Sequence, residues 1–183
     1  MQKNSIKTSL CSVPVESTDF KKRKNRSQGQ CPILPKTAIV SLVEAMKKAG
    51  FPSSSFDFFD IDMLHPHLTD EDIGNYFSSY KPNVVGLSAV TSTSYLQIKR
   101  ISSIIRSVLP DSWIVMGGNL AASTEAVLKS TEVDLTVVGD GEIAWVKILE
   151  HVINYPDRKN YKTISKLINI KGVAFLNEKD EIN

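Results

Sequence analysis

The sequence predicts a doubly wound α/β domain built on a parallel five-stranded sheet. Three observations carry this. Short apolar runs such as Val84-Val85-Gly86-Leu87-Ser88 recur along the chain, the pattern of strands buried on both faces. Segments of helical period, with apolar residues three or four apart, separate them. Glycines stand where the later runs end, in Gly117-Gly118-Asn119 and Gly139-Asp140-Gly141-Glu142. Strands that alternate with helices at this spacing join by right-handed crossovers, which build parallel sheets.

A first strand is expected within residues 6–13, where Ile6, Thr8 and Leu10 give only faint alternation. Residues 36–49 read as a helix, with Ile39, Leu42, Val43 and Met46 on one face, Pro35 before it and Gly50 as its stop. Residues 55–61 are aromatic-rich and extended. Thr69 caps a helix over Asp70–Tyr80 whose first turn is acidic. After Val84–Ser88, the hydroxyls of Ser92, Thr93 and Ser94 are candidate caps for a helix marked by Ile98, Ile101, Ile105 and Val108 and closed by Pro110. Residues 113–116 form the next strand, 123–130 a small helix, 134–138 a further strand and 143–153 the last helix of the unit. Five strands in this arrangement favour the flavodoxin-like (Rossmann-like) order 2-1-3-4-5, with ligands beyond the carboxyl ends of the strands at the switch between the first and third.

The tail has a different character. Residues 154–169 are polar with scattered apolar positions, residues 172–176 read as a strand, and Asn177-Glu178-Lys179-Asp180 as a turn. The expected organisation is a first strand and long polar loop over residues 1–35, an α/β core over 36–154, and a C-terminal β-hairpin extension over 155–183. A hairpin cut short at Asn183 reads as part of something longer.

Composition narrows the function classes. The 183 residues carry a formal charge of +2, so no global field calls for nucleic acid or membrane as partner. The basic run Lys21-Lys22-Arg23-Lys24-Asn25-Arg26 reads as a solvated loop. Two cysteines, Cys11 and Cys31, make neither a disulfide framework nor a zinc site and fit a reducing cytoplasm. No apolar run approaches the roughly 20 residues of a membrane span, and no signal core opens the chain.

Three turns at the carboxyl end of the expected sheet carry the chemistry. Ser88, Ala89, Val90, Thr91, Ser92 and Thr93 form a small, hydroxyl-rich stretch. Small side chains let a flat ligand approach the backbone, and hydroxyls can hydrogen-bond a ring nitrogen. Helix capping alone accounts for one or two of these hydroxyls. Gly117, Gly118 and Asn119 open a slot beside the sheet, though a tight turn also wants glycine. Gly139, Asp140, Gly141 and Glu142 offer backbone N–H groups and a carboxylate, or simply the acidic start that a helix favours.

Val85-Gly86-Leu87-Ser88-Ala89, followed some thirty residues on by Ile114-Val115-Met116-Gly117-Gly118, resembles the paired signature of B12-binding domains. The continuation Val138-Gly139-Asp140-Gly141-Glu142 and the segment Lys171-Gly172-Val173-Ala174-Phe175 resemble the N-terminal cobalamin domain of cobalamin-dependent radical SAM proteins. That resemblance implies cobalamin as cofactor, with Ser88 and the glycine pair lining the pocket for its nucleotide tail and Ser88 hydrogen-bonding the tail base. It implies methyl-transfer chemistry carried with a radical SAM domain, which would hold the iron–sulfur cluster and S-adenosylmethionine. Two departures stand out. No Asp-x-His-x-x-Gly follows the first strand, and residues 12–35 contain no histidine, so the implied cobalamin has no histidine lower ligand of that type. No Cys-x-x-x-Cys-x-x-Cys is present, so the chain holds no such cluster and is not expected to be catalytic alone. The alternative is a non-catalytic flavodoxin-like regulatory or interaction domain that has lost the cofactor; a stand-alone corrinoid carrier is a third reading.

Other candidates fall away on chemistry. His65-Pro66-His67 has no nearby cysteine to complete a metal site. Asp60 and Asp62 stand where a dinucleotide fold keeps its ribose-binding acid, but Gly29 is the sole glycine before residue 50, so the phosphate turn is missing. A phospho-acceptor domain needs an aspartate where Ser88 stands. His151 has no partner in the sequence pattern, and Trp113 and Trp145 read as core or interface residues.

Overall fold

The strand with the faintest alternation lies inside the sheet, with a parallel neighbour on each side. All five residues of β1 (Thr8–Ser12) are buried, and their polarity is absorbed locally. Thr8 Oγ1 donates to the Ser55 carbonyl at 2.9 Å, and Ser9 Oγ pairs with the Tyr76 hydroxyl at 2.9 Å. Small hydroxyl residues can therefore stand where a purely apolar run is expected, because each finds a partner. The structure is a computed structural model and describes residues 2–14, 36–64 and 68–183. The basic run, Cys31, the histidine pair and most of the long loop expected before residue 36 lie outside the described residues.

β1 pairs in parallel with β2 (Phe56–Asp60) on one side and β3 (Val84–Ser88) on the other. Beyond β3 follow β4 (Trp113–Gly117), β5 (Leu135–Val137) and a short β6 (Val173–Ala174), giving the order β2-β1-β3-β4-β5-β6. The expected five parallel strands are present in the expected order. Among the described residues the sheet has six strands rather than five, because β6 adds to β5 as an antiparallel edge. The expected hairpin follows it: Phe175 and Asn183 exchange backbone hydrogen bonds, and Leu176 faces Ile182 around the turn at 177–181.

The helices are α1 (Thr37–Lys48), the short α2 (Ile61–Leu64), α3 (Asp70–Tyr80), α4 (Tyr95–Val108), α5 (Thr124–Ser130), α6 (Gly141–Asn154) and a short α7 (Tyr161–Ile164). Alternation along the strands divides the interior in two. Leu10, Val84, Val115, Leu135 and Val137 face α1, α6 and the tail, whereas Cys11, Val85, Leu87, Ile114 and Met116 face α3, α4 and α5. α3 starts as expected, with Thr69 and Asp72 forming a reciprocal capping box. α4 does not. Neither Ser92, Thr93 nor Ser94 accepts a capping bond; Ser92–Ser94 forms a tight turn leading into the helix, and Ser94 Oγ is buried with no partner among the described residues.

At the amino end of the sheet one carboxylate closes the structure. Asp134 accepts from Arg106 and Arg158, each at 2.8 Å, and from the Ile114 N–H at 2.7 Å. Arg158 thereby ties the start of the tail to β5, and the Trp113 indole N–H adds a bond to the Pro156 carbonyl at 3.0 Å.

Candidate functional site

Register builds the opposite end. Asp60, Ser12, Ser88 and Gly117 are successive partners across β2, β1, β3 and β4, so small and polar residues form one row at the carboxyl edge. Two residues deeper along the strands, on the same face, Leu10, Gly86, Val115 and Leu135 are partners. Gly86 is a glycine in the middle of a central strand, and its reason is packing. A Cβ there would meet the Trp145 ring at 2.9 Å and Leu10 at 3.0 Å, so the missing side chain lets the indole of α6 lie on the sheet.

Between this part of the sheet, α1 and α6 lies a cavity of about 160 Å³, open at the carboxyl edge. Its inner walls are Leu10, Gly86, Val115, Val137 and Trp145 with Ile39 and Leu42 of α1; Ser88, Gly117, Gly118, Gly139, Gly141 and Glu142 line it as well. Gly117 and Gly139 have open space where a Cβ would stand. Gly118 serves differently. Its φ of 93° belongs to glycine, and a Cβ would fall 2.3 Å from the Ala89 carbonyl oxygen. That close approach locks the turn after β3 to the turn after β4, together with Ala89 N–H to Gly117 O at 2.9 Å and Leu120 N–H to Ala89 O at 3.2 Å.

Six of the thirteen site residues expected from sequence, Ser88, Gly117, Gly118, Gly139, Gly141 and Glu142, thus meet on one cavity. The others are placed around it. Ala89 is buried in the core on the opposite face. Val90 is exposed, Thr91 and Thr93 join their hydroxyls at 2.6 Å, and Ser92 is exposed beside them. Asn119 and Asp140 are exposed at the starts of the turn before α5 and of α6. The sequence reading missed the apolar floor. Its one available signal was Gly86, a glycine inside a buried strand, which marks a close approach by another group. Trp145 was legible as core; that it also walls the cavity depends on α6 crossing β3 at that level.

Beside the cavity, the ends of β1 and β2 carry a satisfied polar cluster. Ser12 Oγ donates to Asp60, Lys36 Nζ reaches Asp62 at 2.6 Å, and the Met63 N–H donates to Asp60 at 3.0 Å. Cys11 lies on the far face of β1, where burial pushes its thiol up to about 12. His151 stands away from the site, its ring edge-on to Trp113, and burial holds its pKa below the usual value. Among the described residues, no group of three or more His, Cys, Asp or Glu side chains could hold a metal, and no helix is long and apolar enough to cross a membrane.

Fold and cavity together define a doubly wound, flavodoxin-like ligand-binding domain whose site opens at the carboxyl edge, at the switch between β1 and β3. The chain belongs to the B12-binding domain family, which it matches over residues 32–149. It is 26% identical over 129 residues to a Pyrococcus horikoshii protein described as an uncharacterized methyltransferase, covering 67% of this chain and 28% of that one. It is 27% identical over 94 residues to cytidylyl-2-hydroxyethylphosphonate methyltransferase of Streptomyces wedmorensis, covering 51% of this chain and 18% of that one. The chain therefore spans less than a third of the length of these relatives. Among solved structures, a cobalamin-binding protein from Desulfitobacterium hafniense aligns with a TM-score of 0.46 at 17% identity, over 81% of this chain and 59% of that one.

Proposed function

We propose that this chain is the cobalamin-carrying module of a B12-dependent radical SAM enzyme of the methyltransferase kind, with the nucleotide tail of the cofactor in the cavity between the sheet, α1 and α6. The observation that carries this reading is the missing side chains at Gly117 and Gly139, which leave the carboxyl-edge mouth of an apolar, ring-sized cavity open. Ligand pockets for drug-sized molecules run to about 300–1,000 Å³. A cavity of about 160 Å³ suits one ring system of a larger ligand. A flat heteroaromatic base fits between a sheet and an indole, and the residues present suit that group. Ser88, whose Oγ has no hydrogen-bond partner among the described residues, donates to a ring nitrogen of the base.

Bound cobalamin supplies a cobalt centre able to carry a methyl group. The chain's own work is binding and orientation: the glycine edge admits the tail, Trp145 and Leu10 exclude water from it, and the locked turns after β3 and β4 fix its mouth. The two relatives named as methyltransferases favour methyl transfer over other cobalamin chemistry. In this reading residues 155–183 lead toward a catalytic domain that holds the iron–sulfur cluster and S-adenosylmethionine.

Titration of the purified chain with hydroxocobalamin, followed in the visible spectrum and by calorimetry, tests the reading. One equivalent binds with a base-off spectrum, and Gly117→Trp, which fills the mouth, weakens binding by about 100-fold or more while leaving the fold intact. Absence of binding, or equal binding by the variant, would sink it.

A further inference from the structure

The walls of the cavity carry information about which cobamide it accepts. Cobamides share a corrin ring and differ in the base at the end of the nucleotide tail. Among the described residues, the cavity below the mouth offers that base only hydrocarbon and indole: Leu10, Leu42, Val115, Val137 and Trp145, with Gly86 flat beneath. The one polar atom of the Trp145 side chain is already engaged, its Nε1–H directed at Met46 Sδ at 3.2 Å. Backbone groups of β1, β3 and β4 at this level are used in the sheet ladder. Among the described residues, the polar side chains on the wall are Ser88, at the carboxyl edge of β3, and Glu142, in the first turn of α6.

We propose that this cavity is a base-selectivity filter that admits benzimidazole-type cobamides and rejects purine-type ones. The inference rests on the reading of the cavity as the tail site. A glycosylated benzimidazole leaves one ring nitrogen to satisfy, and the Ser88 hydroxyl can supply one donor. A glycosylated adenine leaves three ring nitrogens and an amino group. Most of these would sit unpaired against the apolar floor, and buried polar groups without partners are penalised heavily. Discrimination of this kind comes from what the wrong ligand leaves unsatisfied.

The test compares three probes on the full 183-residue chain in their hydroxo or aquo forms: cobalamin, adeninylcobamide and cobinamide, which lacks the base altogether. Dissociation constants are read by calorimetry and by the visible spectrum. The expected order is cobalamin tightest, with adeninylcobamide weaker by about 10- to 100-fold and no better than cobinamide. Leu42→Gln, on the half-exposed face of α1, and Val137→Thr, nearly isosteric, each place a polar group on the wall and narrow the gap between the two complete cobamides. Equal affinity for cobalamin and adeninylcobamide, both tighter than cobinamide, would overturn the filter and leave the tail site standing. Equal affinity for all three would overturn both, because the base would then contribute nothing.

Discussion

The two ends of the sheet are built on opposite principles. At the amino end, Asp134 is gripped by two arginines and a backbone N–H, and Trp113 closes onto the tail through its indole N–H. At the carboxyl end, Gly117, Gly118 and Gly139 strip side chains away, and Val90, Val138 and Ile143 stand exposed around the opening. Polar satisfaction fastens one end. At the other, surface is left uncovered for a ligand, whose binding would stabilise the fold by mass action. The difference locates stability and binding in separate residues, so each can be damaged alone.

The largest effect is expected at the closed end. Asp134→Asn leaves Arg106 and Arg158 without their shared carboxylate and costs about 3 kcal/mol of stability, as breaking a buried ion pair does. Urea unfolding measures this, and cobalamin affinity below the unfolding transition stays at the wild-type value; a parallel loss of affinity would break the comparison. Gly118→Ala comes next. Its φ of 93° and the Ala89 carbonyl beneath it make the variant less stable by about 1–3 kcal/mol. By contrast Gly117→Ala, with open space at its Cβ, shifts stability by no more than about 0.5 kcal/mol and shows its effect in cobalamin affinity instead.

Cys11 sharpens the contrast between the faces of the sheet. Its thiol is raised by burial to about 12 from an ordinary value of 9.0. Between those values the unfolded chain loses the proton and the folded chain keeps it. Stability therefore falls as pH rises through that window, by about 1.4 kcal/mol per pH unit, and is unaffected by Cys11 below it. Unfolding midpoints against pH fall more steeply from about pH 9 than those of Cys11→Val, in which the half-buried tyrosines Tyr76 and Tyr80, also raised by burial, still contribute.

How legible these features were follows from their range. The strands and helices are local patterns, and Val84–Ser88 or Asp70–Tyr80 could be read off residue by residue. The glycine turns were legible as turns, because a run ending in Gly117-Gly118 announces where side chains stop. What escaped depends on register and crossing. Leu10, Gly86 and Val115 become one cavity floor only when three strands align, and Trp145 reaches it from 59 positions beyond Gly86. The Arg106–Asp134–Arg158 clamp was invisible for the same reason; residues 172–176 were legible as a strand, but their antiparallel pairing with β5 was not. The failed cap at α4 is a local miss: hydroxyls at Ser92, Thr93 and Ser94 suggested capping, and the chain formed a tight turn there instead.

The most direct test uses the two tryptophans, which lie on the same face of the sheet at opposite ends. Nitrogen-15 labelled protein is titrated with hydroxocobalamin while the two indole N–H resonances are followed by NMR. The account predicts that the Trp145 resonance shifts and saturates at one equivalent while that of Trp113 stays in place. A complex visible in the absorbance spectrum that moves Trp113, or that leaves Trp145 unmoved, would contradict it.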